Sequence, residues 1–373
     1  MSLKTEIEEA RQSVKTDRLQ LSVGEIISMY QNDELNIQPE FQRLFRWSDE
    51  KKANLIESIL IDIPIPSIFT YENEDGTWEL IDGLQRISTI FEFFGVLKEL
   101  DTEDLLPPSA LQKTTYLPSL ENAVWENSDK IDGVPVDMQK ALEKPQQLAI
   151  RRARLDVQVL KQPSDAETKF HLFQRLNRGG AYANEQEVRT CAMVMVAPDF
   201  VKRIKTLATN EKFVGMASIK ETAVKRQKDV EYIVRTLVHT YRDYDNISDV
   251  EEFLDREIIE ILTTENVDDF EEKFIFTVNI LHEIFGSKAL FPDAGTINSP
   301  GIRFSLRALE AVFVGIMRNT KDIQLLGHPE EFVKKQILGF WQQPEAEAMS
   351  ASGLRGTQRL QRTIPFGDTW FKP

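Results

Sequence analysis

Asp82, Gln85 and Arg86 are the residues of this sequence whose types and spacing best fit phosphate chemistry. They surround Gly83, directly after a predicted strand over residues 78–81 and at the start of a predicted helix. A strand-to-helix junction points backbone N–H groups and the positive end of the helix dipole outward. Because the planar fork of arginine matches phosphate oxygens, the pattern predicts an anion site for phosphate. An ordinary turn with a solvated arginine is the alternative, since short motifs of this kind also occur without function.

A second group of charged and aromatic residues, Arg43, Arg46 and Trp47, lies upstream in the sequence FQRLFRW. Arginines next to aromatic rings can contact phosphate and offer a stacking surface. The same pattern arises where aromatic residues pack a domain and the arginines lie over them. The residues alone leave both interpretations open.

The sequence patterns around these residues predict helices and strands that form one small α+β unit over residues 21–94. Ser22 and Glu25 fit a capping box, in which the serine accepts from the helix N-terminus and the glutamate reaches back. Ser48 is the predicted cap of a second amphipathic helix that ends before Pro64. Strands are predicted over residues 35–38, 67–71, 78–81 and 149–160.

Helical spacing dominates the rest of the chain. Helices are predicted from Ser164 through Leu176 and from Asn184 to Val196, and everything beyond Pro198 has helical periodicity. The fold class is therefore α+β, with a small mixed domain followed by a mostly α-helical domain. The predicted bounds are 1–196 for the mixed domain, about 97–146 for an insertion within it, 197–350 for the helical domain and 351–373 for a C-terminal tail. Trp370 and Phe371 are expected to be exposed in this tail, which either docks or is partly disordered.

Length and composition limit the class of protein. With 373 residues and 41% apolar content, the chain is long enough for two or three domains with real cores. Cys191 is the single cysteine, and the four histidines are scattered, so a disulfide framework and a cysteine-rich zinc site are excluded and all five residues are predicted to be structural. The N-terminus has no apolar core and the apolar stretch 308–317 is short, so we expect a cytoplasmic protein that spans no membrane.

Charge is divided unevenly along the chain. The net charge of −15 argues against non-specific coating of nucleic acid, which depends on neutralising phosphates. Residues 229–293 hold seventeen acidic and five basic residues, whereas residues 202–228 and 144–161 have net charges of +6 and +4. Solvated helix surfaces are the simplest explanation. The alternatives are nucleic-acid mimicry by the acidic run and DNA contact by the basic runs, with Arg152 and Arg154 on one face of the predicted strand.

Three separated motifs resemble a known family. They are Phe41-Gln-Arg…Arg46-Trp47, Ile81-Asp-Gly-Leu-Gln-Arg86, and a segment from Phe170 that ends in Asn177-Arg-Gly-Gly180. The family is that of the GmrS-type N-terminal domains of bacterial modification-dependent restriction systems, whose core is similar to the ParB/sulfiredoxin fold. The likeness covers residues 20–195 in the family's order and spacing. Family members typically show Asp-Gly-Gln-Gln-Arg, whereas Leu84 stands here for the first Gln, so altered nucleotide binding or poor turnover is expected if that Gln serves nucleotide or metal.

The resemblance implies a role for each residue of the central motif. Asp82 would hold Mg²⁺ or Mn²⁺, directly or through water. Gln85 would contact phosphate or the attacking water, and Arg86 would bind phosphate on the turn shaped by Gly83. Remaining nucleotide contacts are implied for Arg43, Arg46 and Trp47.

The third motif implies a second contact to the metal or the phosphate. Asn177, with Arg178 beside it, would supply this contact, and Glu187 follows at the spacing found in ParB-like proteins. From the residues alone, Asn177 is a helix C-cap.

The implied activity is binding and hydrolysis of a nucleoside triphosphate within a bacterial defence system that acts on foreign or modified DNA. The implied partners are DNA, a nuclease or other defence subunit, and further copies of the chain. No His-Asn-His nuclease motif is visible, so a partner chain or the ParB-like core would make any cut. The alternatives are a DNA-binding sensor or scaffold without turnover, a standalone ParB-like nuclease, and a structural or inhibitory partner protein.

Overall fold

The computed structural model describes residues 2, 3, 5, 15–37, 47–99, 102, 104–161, 184–245, 249–264, 267, 269–291, 304–349 and 355–373. The chain divides into two compact units, residues 1–183 and 184–373. The first unit contains a mixed β-sheet, and the described part of the second is helical. The α+β class predicted from the sequence is confirmed.

Five of the described strands form one mixed sheet in the first unit. In spatial order they are β1 (Lys15–Ser22), β7 (Arg154–Lys161), β3 (Ile68–Glu72), β4 (Trp78–Asp82) and β2 (Leu35–Asn36). β7 lies antiparallel to β1 and parallel to β3, while β3 and β4 form the predicted antiparallel hairpin. β2 adds in parallel to β4. The register pairs Ser22 with Arg154, so the sheet joins distant parts of the chain.

Four described helices belong to this unit: α1 (Val23–Gln31), α2 (Asp49–Leu60), α3 (Leu84–Phe93) and α4 (Lys144–Arg152). The predicted capping box starts α1, since Ser22 Oγ accepts from Glu25 N at 3.2 Å and Glu25 Oε2 accepts from Ser22 N at 2.7 Å. Helices and strands share one apolar core, to which Ile26, Ile56, Ile90, Ile150 and Val157 contribute.

The segment predicted as an insertion is mostly irregular. It contains 3₁₀ turns at Pro118–Leu120 and Val136–Met138 and a parallel pair of two-residue strands, β5 (Ala123–Val124) and β6 (Lys140–Ala141). The buried carboxylate of Glu57 on α2 accepts from Tyr116 N and Leu117 N at 3.0 Å each, and from Thr114 Oγ1. Since all three donors belong to the insertion and converge on Oε1 of Glu57, this carboxylate fixes the insertion to the core.

The second unit is helical across its described residues, as predicted. Its helices are α5 (Glu185–Val196), α6 (Pro198–Ala208), α7 (Glu211–Met216), α8 (Glu221–Val224), α9 (Lys228–Tyr241), α10 (Val250–Thr264), α11 (Phe270–Phe285), α12 (Leu306–Ala308), a π-helical turn (Leu309–Phe313), α13 (Val314–Arg318), α14 (Thr320–Gln324), α15 (Pro329–Phe340), α16 (Pro344–Ala348) and α17 (Gly356–Trp370). None of the described helices combines the length and apolar character needed to cross a membrane.

A buried arginine organises part of this unit. Arg189 on α5 is 0% exposed, and it donates from Nε to Asp255 Oδ1 at 2.6 Å and from Nη2 to Glu251 Oε2 at 2.8 Å. Glu251 also accepts from Arg235 Nη2 at 2.5 Å. Burial works to raise the pKa of Glu251, but the charges of Arg235 and Arg189 outweigh it and hold that pKa below its usual value. Part of the acidic run 229–293 is therefore internal, which corrects the expectation of a solvated surface.

Four details of the predicted elements were wrong. Residues 149–152 complete α4 and β7 starts only at Arg154, so Arg152 and Arg154 share no strand face. The edge strand β1 was not predicted, because six of its eight residues are polar. Ser48 precedes α2 without a capping bond from its side chain. Phe371, expected in an exposed tail, is 0% exposed beyond α17.

Candidate functional site

Gly83 makes the junction between β4 and α3 possible. Its φ of +104° and ψ of 9° lie in the left-handed region, and a Cβ atom at this position would stand 2.6 Å from Ile68 Cδ1. Glycine meets both constraints without strain or clash. Since Asp82 ends β4 and Arg86 lies in the first turn of α3, the tight turn brings their side chains together.

Arg86 is held by one carboxylate and two backbone carbonyls. Its Nη2 donates to Asp82 Oδ2 at 2.8 Å, and its Nη1 donates to Ser67 O at 3.1 Å and to Pro66 O. The side chains of Arg86 and Asp82 are 12% and 26% exposed. The guanidinium group therefore connects the turn to the segment before β3, at a position that water still reaches.

Gln85 connects the turn to the residue where the FQRLFRW motif ends. Its Oε1 accepts from Trp47 N at 3.1 Å, and its backbone oxygen accepts from Thr89 Oγ1 at 2.6 Å. Trp47 and Leu84 are both partly buried against the apolar core of the first unit. The structure thus assembles Asp82, Gln85, Arg86 and Trp47 around Gly83.

The remaining predicted site residues, Arg43, Arg46, Asn177 and Arg178, lie outside the described residues, as does the helix predicted from Ser164. Within the described part of the chain, no group of three or more histidine, cysteine, aspartate or glutamate residues is arranged to hold a metal ion. The metal roles of Asp82 and Asn177 stay predictions.

Glu187, which follows Asn177 at the spacing of ParB-like proteins, has a structural contact. Its Oε2 accepts from Asn184 N at 2.8 Å, and Asn184 Oδ1 accepts from Glu187 N at 3.0 Å. These two bonds form a capping box at the start of α5.

His239 and Cys191 lie in the core of the second unit, as expected for structural residues. The His239 ring stacks on Phe253 with centroids 5.8 Å apart. Complete burial, with the nearby charges of Arg235, Arg318 and Arg359, lowers the pKa of His239 to about 3. The imidazole is therefore neutral at physiological pH.

Residues 23–194 match a sequence model described as the GmrSD restriction endonuclease N-terminal domain. This segment belongs to that family. Membership indicates a restriction-system module that acts on modified DNA, in agreement with the resemblance of the three motifs. No curated protein and no solved structure was found to be similar.

Sequence reasoning missed the carbonyl contacts of Arg86 in this GmrSD-type domain. The sequence Pro64-Ile-Pro66 was interpreted only as the end of a helix. A segment with two prolines lacks two N–H donors and is unsuited to a strand ladder, so its carbonyls need donors from elsewhere. The lack of N–H donors in this segment is the sequence signal from which an arginine donor such as Arg86 could have been predicted.

Proposed function

We propose that the turn from Asp82 to Arg86 binds the phosphates of a nucleoside triphosphate and promotes its hydrolysis, within a restriction system that acts on modified DNA. One observation supports this proposal: the left-handed Gly83 places a carboxylate, an amide and a guanidinium group around the N-terminus of α3. Backbone N–H groups and the helix dipole favour phosphate at such a position.

Each side chain has its own part in the proposed reaction. Arg86 exchanges its oxygen partners for phosphate oxygens and offsets the charge that develops at the γ-phosphate. Gln85 orients the attacking water. Asp82, which is 26% exposed, offers a reachable carboxylate that would hold Mg²⁺, and the ion would supply neutralisation of phosphate charge. A single protein carboxylate suits Mg²⁺, because this ion keeps waters and takes further oxygens from the phosphates.

Substitutions of Leu84 test whether this residue limits the rate of hydrolysis. Its side chain packs against the core at the position where the family typically has Gln. If Leu84 slows turnover, the Leu84→Gln variant releases phosphate faster than the wild type, whereas Leu84→Met, which keeps an apolar side chain, does not.

The decisive experiment measures phosphate release from ATP, GTP, CTP and UTP with Mg²⁺ or Mn²⁺, with and without DNA. We expect release that is selective for the nucleotide in the wild type and abolished in Arg86→Ala. Arg18→Ala is the matched control, because Arg18 is an exposed arginine of the same unit on β1. Asp82→Asn keeps the shape of the side chain and should weaken the dependence on the metal.

Nucleotide-induced thermal shifts separate loss of binding from loss of folding. Arg86→Ala that still melts cooperatively without nucleotide, yet gains no shift from it, supports direct phosphate contact. The proposal is abandoned if the wild type neither releases phosphate nor gains a thermal shift with any of the four nucleotides.

A second function, contact with DNA, is favoured by three arginines where α4 meets β7. Arg151, Arg152 and Arg154 are all exposed, and none forms an ion pair with another described residue. Arg154 interacts with Glu25 through charge alone. Exposed arginines without an ion pair to a described residue are available to phosphates of the DNA backbone. Steep salt dependence of DNA binding that lessens when the three are replaced by alanine would test this contact.

A further inference from the structure

A cleft of about 200 Å³ opens in the first unit beside the three exposed arginines Arg151, Arg152 and Arg154. One wall is the segment after α2, where Asp62 has a φ of +58° and Ile63 N donates back to Ser58 O at 2.9 Å. The other wall is the start of β7, from Arg154 to Asp156, with Gln20 of β1 beside it. The cleft is therefore built on the end of a helix and two paired strands.

Both walls of the cleft carry a carboxylate. On the β7 wall, Gln20 Nε2 donates to Asp156 Oδ1 at 3.0 Å, and this contact joins residues that the strand register already pairs. On the opposite wall, Asp62 is exposed. Ile59, Ile65 and Leu155 line the space as well. A ring with an exocyclic amino group matches this lining, because carboxylates accept from such groups and aliphatic side chains cover ring faces.

The rim of the cleft is cationic. Arg154 lines the cleft itself, while Arg151 lies over Gly24 of α1, where an added Cβ would stand 3.0 Å from Arg151 Cγ. Arg152 is the neighbouring exposed residue at the end of α4. A space lined by two carboxylates and aliphatic side chains, with exposed arginines in its lining and beside it, matches a nucleotide unit, whose phosphates flank its base.

We propose that this cleft receives one amino-bearing base turned out of a DNA duplex, while Arg151, Arg152 and Arg154 contact the phosphates next to it. The inference rests on the DNA contact proposed above and is independent of nucleotide hydrolysis at the Asp82–Arg86 turn. Turning a base out costs least where it is mismatched or damaged. The cleft would thus read the state of a base and not only the charge of the backbone.

The test uses the full chain, without added nucleoside triphosphate, and a labelled duplex with 2-aminopurine at a mismatch. This amino-bearing base brightens when it leaves the stack, and the described residues that line the cleft include no aromatic ring that would quench it. We expect binding, seen by anisotropy, with a several-fold rise in 2-aminopurine fluorescence. Ser58→Leu adds bulk at the cleft wall and should abolish the rise while binding persists. Ser58→Ala, which removes the same hydroxyl without adding bulk, should keep the rise.

The arginines are tested separately by replacing Arg151, Arg152 and Arg154 with alanine. Three lost phosphate contacts should reduce the slope of log K against log salt by about 3. Lys130→Ala, at an exposed lysine of the insertion, should leave that slope unchanged.

Several results would overturn the inference. Binding without a fluorescence rise in the wild type shows a surface that reads phosphates alone. A rise that survives Ser58→Leu places the unstacked base elsewhere. Absence of any DNA binding removes both the DNA contact and this inference, while phosphate release by the wild type would still uphold the site at Asp82–Arg86.

Discussion

Two arginines, one in each unit, show how the same side chain can serve opposite purposes. Arg86 is 12% exposed and is shared among Asp82 and two backbone carbonyls. Arg189 is 0% exposed and binds Asp255, Glu251 and Gln186 Oε1, the last at 2.7 Å. Asp82 keeps access to water when Arg86 moves, whereas the carboxylate of Asp255, whose side chain is 8% exposed, would lose a charged donor that water cannot easily replace. The comparison teaches that a partly exposed pair can separate at a smaller cost in free energy than a buried pair, which is what the proposed exchange of partners at Arg86 requires.

The largest effect should come from breaking the buried pair. Arg189→Met removes the guanidinium bound by Asp255 and one of the two arginines that contact Glu251, which should cost about 3–5 kcal/mol of unfolding free energy. Arg86→Met should cost about 1 kcal/mol, because its carboxylate partner remains hydrated. Urea denaturation of both variants measures the difference. Equal losses would contradict the distinction between the two arginines.

The next effect concerns the turn that presents Arg86. Gly83→Ala forces an alanine to a φ of +104° and its Cβ toward Ile68 Cδ1, which should cost about 1–3 kcal/mol. Gly76→Ala is the matched control, because Gly76 also has a positive φ, of +83°, but a Cβ there meets nothing within 4 Å. If both variants lose the same stability, as measured by thermal melting, close packing against Ile68 does not matter.

The pH dependence of stability tests the burial of His239 in the second unit. The pKa of His239 is about 3 in the folded chain, below its value of about 6.5 when unfolded, so the unfolded state binds more protons between these values. Stability is fully present above pH 6.5 and falls as the pH decreases, by about 2 kcal/mol at pH 5. His239→Phe keeps a ring against Phe253 and should remove that share of the loss in urea titrations at pH 7.5 and 5. The exposed His328, replaced by Asn, is the control for loss of one histidine.

The smallest difference in unfolding free energy should be that between removing the cap at Asn184 and removing the cap at Ser22. Asn184→Ala removes the cap beside Glu187, which is 0% exposed, and should cost about 1–2 kcal/mol. Ser22→Ala acts on a box at the surface and should cost less, because water replaces the lost bond. Both losses can be read from urea midpoints, and a larger loss for Ser22 would reverse the expected order.

The sequence predicted well wherever local chemistry decides the structure. The strand, glycine turn and helix around Gly83, the hairpin that precedes it and the capping box at Ser22 follow from neighbouring residues, and the structure has all three. The same short-range rules predicted that Asp82, Gln85 and Arg86 share one turn, as the structure confirms.

What could not be predicted depends on contacts between residues distant in the chain. β1 has polar residues at six of its eight positions and becomes a strand through its pairing with β7. The burial of acids such as Asp255 follows from one arginine 66 positions away, which composition cannot reveal. The carbonyl partners of Arg86 likewise come from another segment.

The order of strands in the sheet has a consequence for the time course of folding. β3, β4 and α3 are neighbours in the chain and close short loops, whereas β1 and β7 must find each other across most of the unit. Because long loops are slow to close, local contacts should form first. A refolding chain would thus regain the Asp82–Arg86 turn early, and the cleft between Ser58 and Asp156 only when its last strands have paired.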